Sequence, residues 1–163
     1  MYFILLLVCF YAMSCTIDLS QLGVSDTSPW WTLLTYSMVH LSFIHLLINS
    51  IAFMSYWRIL KRYFNIYAVL CIAVFTSVIS AYLGKAAIPT VGASAVIYSM
   101  AGTYIAAVPS LPKGKVKFFL MVIISFIFTG LFAQSINTDI HIYSFFISAA
   151  VSLLTRRFIY VKA

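Results

Sequence analysis

The chain has 163 residues, of which 64% are hydrophobic and 8% charged, and its mean hydropathy is +1.07. Soluble domains carry about 25% charged and about 45–50% apolar residues, so this composition excludes an ordinary soluble globular domain and makes the bilayer the expected solvent. The net charge of +7 does not point to nucleic acid, because the ten Lys and Arg sit in short clusters between apolar runs and not on one basic face with stacking aromatics.

Six apolar runs follow in chain order: Met1 to Thr16, Thr35 to Trp57, Ile66 to Leu83, Val91 to Val108, Val116 to Ala133 and Ile140 to Tyr160. A spanning helix needs about 20 residues, within a range of about 17–25. The first run is short and the others fit. Met1-Tyr2-Phe3 offers no basic n-region, so the first run reads as a retained helix and not as a signal peptide. Pro109 and Pro112 end the fourth run, since proline terminates helical pairing. Cys9, Cys15 and Cys71 form no CxxC pair, and their odd number suggests no disulfide framework; they read as small apolar packing residues.

The loop charges orient these runs. Arg58, Lys61 and Arg62 follow the second, Lys113, Lys115 and Lys117 follow the fourth, and Arg156, Arg157 and Lys162 close the chain. Asp18, Asp26, Lys85 and Asp139 occupy the alternate loops, so nine of ten basic residues lie on one side and all three acidic residues on the other. Cytoplasmic loops carry the excess of Lys and Arg. The expected fold is an all-α polytopic membrane protein with six transmembrane helices in one compact domain over residues 1–163. Both termini are then cytoplasmic, and the second, fourth and sixth helices enter from the outer face.

Polar groups inside a membrane are costly and face a bundle interior or a wet cavity. His40 and His45 are expected in the outer half of the second helix, with Asn49 one turn below His45. Ser94 stands near the start of the fourth helix, and His141 near the start of the sixth. All three helices run inward from the same face, so these residues share one leaflet. His45 and Asn49 are four apart and project from one helix face, as do Ser94 and Tyr98. A serine hydroxyl becomes a nucleophile when a neighbouring base takes its proton, and histidine suits that task near neutral pH. Asn and His side chains and the free N–H groups of a helix start can hold an oxyanion. Pro89-Thr90-Val91-Gly92-Ala93 reads as a loop entering a helix. No carboxylate lies within the apolar runs, and Asp139 reads as a solvated acid at a helix start. The set is a dyad, not a triad.

His40-Leu41-Ser42-Phe43-Ile44-His45-Leu46-Leu47-Ile48-Asn49, Gly92-Ala93-Ser94-Ala95 with Tyr98 four residues after the serine, and His141 together resemble the rhomboid family of intramembrane serine proteases. The resemblance covers the second to sixth helices in order. It implies Ser94 as nucleophile and His141 as general base and then acid. His45, Asn49 and the Ser94 N–H would hold the oxyanion, Tyr98 would pack on His141, Gly92 would allow the tight turn, and His40 would tie down the outer loop. The implied substrates are transmembrane proteins cut near the outer face. No cofactor is implied. The compact six-helix form points to a bacterial plasma membrane.

Three features depart from the family pattern: Ala95 follows the serine where glycine is common, Ser144 and Ser148 follow His141 where glycines are common, and the first outer loop offers only Trp30-Trp31 in place of a Trp-Arg pair. The alternative reading is a catalytically silent rhomboid-like protein that binds membrane-protein clients. Such relatives often lose the serine or the histidine, and both are present here. A transporter using His40, His45 and His141 would be expected to carry a membrane-embedded carboxylate. The histidine spacing offers no metal site.

Overall fold

The computed structural model describes residues 2–14, 20–107 and 137–161. Among them the chain is helical: α1 (Tyr2–Ser14), a short α2 (Thr32–Thr35), α3 (Phe43–Leu60), α4 (Ile66–Leu83), α5 (Ser94–Ala107) and α6 (Thr138–Ile159). Two isolated antiparallel bridges, Val24 with Thr90 and Phe64 with Tyr160, are the only β pairing among these residues. The fifth apolar run, Pro109, Pro112 and the lysines after them, Cys15, Asp18 and Lys162 lie outside the described residues.

Three helices, α3, α4 and α6, are long and apolar enough to cross a membrane. Their outward faces carry exposed Ile44, Ile48, Ile51, Phe75, Phe146, Leu154 and Phe158, the surface a lipid tail would meet. α5 is different. At 14 residues it is about 21 Å long, short of a hydrocarbon core of about 30 Å. Ala95 to Tyr104 and Ala107 are all buried, so α5 is the central post of the bundle. Its contact with α6 is close because Gly102 lacks a side chain: a Cβ there would collide with the Phe145 carbonyl and the Ser148 hydroxyl.

Serine and threonine side chains join the inner helices. Thr76 Oγ1 donates to Ser99 Oγ at 2.9 Å, Ser99 Oγ donates to the Ser144 carbonyl at 3.3 Å, Ser148 Oγ donates to the Ser99 carbonyl at 2.7 Å, and Thr103 pairs with Ser152 at 2.8 Å. Apolar burial between helices offers little in lipid, so small residues and such bonds set the packing.

Helix starts are fixed by local chemistry. Ser42 adopts an extended conformation and its hydroxyl accepts from the His45 N–H at 3.1 Å, an N-cap. The helix expected from Thr35 therefore begins at Phe43. The residues before it form α2, a 3₁₀ turn (Tyr36–Met38) and an extended segment. Asn65 caps α4 through bonds from the Tyr67 and Ala68 N–H groups. Asn137 caps α6, accepting from the Ile140 N–H at 3.3 Å, while its Nδ2 donates to the Gly84 carbonyl at 2.6 Å. That second bond ties the end of α4 to the start of α6 and sets the depth of His141. Cys9 and Cys71 are free and exposed on α1 and α4. The faces they occupy point away from the core.

Candidate active site

Ser94 is the first residue of α5, so its N–H has no carbonyl one helical turn earlier to bond. The approach to it is held on three sides. Thr90 exchanges two backbone bonds with Val24, at 2.8 and 3.0 Å; the Gly92 N–H donates to the Tyr36 carbonyl at 2.8 Å; and the Ala93 N–H donates to His40 Nε2 at 3.3 Å. Gly92 has φ of 119°, the left-handed side that glycine adopts without steric penalty. The nucleophile loop is thus pinned to the α1–α3 connection.

His40 lies in the extended stretch before α3, not in a helix as expected, because Ser42 starts the helix after it. It is fully buried. Its Nε2 accepts from the Ala93 N–H, so the ring proton sits on Nδ1, which donates to the Met38 carbonyl at 3.4 Å. His40 therefore bridges the outer connection and the nucleophile loop. Burial, and secondarily the charge of His45, pulls its pKa down from 6.5 to about 4, which keeps this neutral tautomer. Tyr36, whose hydroxyl donates to the Ser77 carbonyl at 3.0 Å, has its pKa raised by burial.

His45 and Asn49 stand one turn apart on α3 and both face Gly92. A Cβ built on Gly92 would lie 2.7 Å from His45 Nε2 and 3.6 Å from Asn49 Nδ2. The His40 and His45 rings meet edge to face with centroids 5.0 Å apart. Asn49 is buried, and its Nδ2 has no hydrogen-bond partner among the described residues.

His141, in the first turn of α6, brings its Nε2 to 2.7 Å from Ser94 Oγ. Tyr98, one turn below Ser94, stacks on the imidazole with centroids 4.6 Å apart and planes at 28°. That stack leaves the ring little freedom to turn. His141 is buried, Ser94 is half-buried, and Asp139 is exposed at the start of α6. The structure thus brings Ser94, His141 and Tyr98 into direct contact and places His45 and Asn49 against Gly92. His40 lies behind them as a tie to Ala93. Sequence reasoning missed the anchoring by Val24, Tyr36 and Asn137. The first two act through backbone groups and leave no side-chain signal; the third was readable as an N-cap preceding Thr138-Asp139.

A chemically usable set results: a hydroxyl bonded to an imidazole, an amide donor with no partner among the described residues, and a helix-start N–H. The family model described as the Rhomboid domain matches residues 27–158, a span that includes His40, His45, Asn49, Gly92, Ser94, Tyr98 and His141. No curated protein matches the chain significantly. With 27–158 matched and apolar spanning helices present, the chain is an integral membrane protein that belongs to the rhomboid family.

Proposed function

We propose that this protein is an intramembrane serine endopeptidase that cleaves transmembrane protein substrates near the outer membrane face through the Ser94–His141 dyad. The observation that carries the reading is the 2.7 Å contact between Ser94 Oγ and His141 Nε2, the geometry in which a base takes a hydroxyl proton. Ser94 Oγ attacks the peptide carbonyl while His141 Nε2 accepts the proton. The oxyanion is held by the Ser94 N–H, His45 and Asn49 Nδ2. His141 then protonates the leaving amine, and water entering from the outer face releases the acyl group. Each oxyanion donor in such a site contributes about 10²–10³ in rate.

The architecture that goes with this chemistry is a single domain over residues 1–163 with six spanning helices. Both termini are on the cytoplasmic side, where Arg58, Lys61, Arg62, Arg156 and Arg157 gather. The membrane is a bacterial plasma membrane.

A fluorophosphonate that labels activated serines tests the dyad without a known substrate. Labelling of the wild type at Ser94, lost in His141→Ala, is the expected result. Absence of labelling in the wild type would favour a client-binding protein instead.

A further inference from the structure

Three buried polar side-chain atoms have no hydrogen-bond partner among the described residues: Asn49 Nδ2, His141 Nδ1 and Ser144 Oγ. Buried polar groups are nearly always satisfied, by protein or by ordered water. Asn49 Nδ2 is accounted for as an oxyanion donor. The other two lie one turn apart on α6, and both side chains are buried, His141 at 4% and Ser144 at 0% exposure.

The His141 ring dictates what is missing. For Nε2 to accept the Ser94 proton, the neutral ring must carry its own proton on Nδ1. Nδ1–H is then a buried donor that requires an acceptor, the place a carboxylate fills in a triad. No carboxylate among the described residues is buried; Asp26 and Asp139 are exposed. Side chains three apart on a helix have Cβ atoms about 5–6 Å apart, and each Cβ leans toward the helix N-terminus. Ser144 thus leans over the turn that carries His141. A water placed between the two groups would give each a partner, since buried waters sit where two or more orphaned polar groups converge.

We propose that Ser144 is a positioning residue for the dyad: its hydroxyl, through one bridging water, holds the Nδ1–H of His141 and so selects the tautomer that makes Nε2 a base. The inference rests on the Ser94–His141 reading. It also gives Ser144 a task distinct from that of Ser148, whose hydroxyl is engaged by the Ser99 and Phe145 carbonyls at 2.7 and 3.0 Å.

The test compares wild type, Ser144→Ala and Ser148→Ala by 15N NMR of histidine-labelled protein in micelles, beside kcat and KM on a transmembrane reporter. In the wild type and in Ser148→Ala, His141 is expected as the Nδ1–H tautomer. In Ser144→Ala the Nε2–H tautomer gains population, and kcat falls about ten-fold at unchanged KM, well short of the roughly 10⁴ that a fixed wrong tautomer removes from a triad protease. Identical His141 tautomer shifts in wild type and Ser144→Ala would overturn the proposal, as would an equal shift in Ser148→Ala. A wild type that cuts no reporter counts against the protease reading, and the tautomer comparison still decides the role of Ser144.

Discussion

Gly92 lies directly against the His45 ring, so closely that a Cβ on Gly92 would stand 2.6 Å from Cε1 and 2.7 Å from Nε2. The nucleophile loop and α3 therefore meet backbone to imidazole. The absence of a side chain lets the two approach, and the φ of 119° reserves the position for glycine a second time.

Gly92→Ala should accordingly fail on both counts. The backbone strain amounts to about 1–3 kcal/mol, and the methyl displaces His45 or the loop that carries Ser94. A displacement of about 1 Å at a reacting centre removes about 10² in rate. Thermal unfolding and reporter cleavage of the purified variant check this; a variant as stable and as active as wild type contradicts the close approach.

Asn49 offers the opposite pattern. Its Nδ2 is buried without a partner among the described residues, a situation that costs about 1–3 kcal/mol in a folded state. The near-isosteric Asn49→Leu should leave Tm unchanged or raise it, while kcat falls by about 10²–10³ through loss of an oxyanion donor. A fall in stability with activity retained would assign Asn49 to packing.

His40 makes stability depend on pH. Its folded pKa is about 4 against an ordinary 6.5, so between these values the unfolded chain binds more protons than the folded one. The contribution is complete above the ordinary value and is lost as pH falls through that window. Protonation would also remove the acceptor from the Ala93 N–H bond. Melting of the wild type in detergent should decline from about pH 7 to about pH 4.5. His40→Phe should melt lower at neutral pH and decline less over the same range. Parallel declines would place the sensitivity on another group.

Much of this site was legible in the sequence because lipid makes polar residues conspicuous. Ser94, His141, His45 and Asn49 stood out as chemistry-bearing groups in apolar runs, and the expectation that they meet near one face came from the loop charges. The start of α3 was not legible from hydropathy. Residues 35–42 are apolar enough to pass for helix, and only the Ser42 cap, a local backbone event, ends that reading. His40 was misplaced onto the helix for the same reason. The bonds from Gly92 to Tyr36 and from Thr90 to Val24 join backbone groups far apart in sequence, and no spacing announces them. The exposure of Cys9 and Cys71 was equally hidden, since lipid-facing and core-facing positions are both apolar.

The central claim is that Ser94 and His141 act as one catalytic unit, and cleavage of a transmembrane reporter by the purified protein tests it most directly. Wild type should cut, and Ser94→Ala and His141→Ala should each lose about 10⁴ or more, with the double variant no worse than either, because coupled residues are not additive. Cleavage by Ser94→Ala at the wild-type rate would contradict the account. So would a wild type as inert as both variants across reporters of varied sequence.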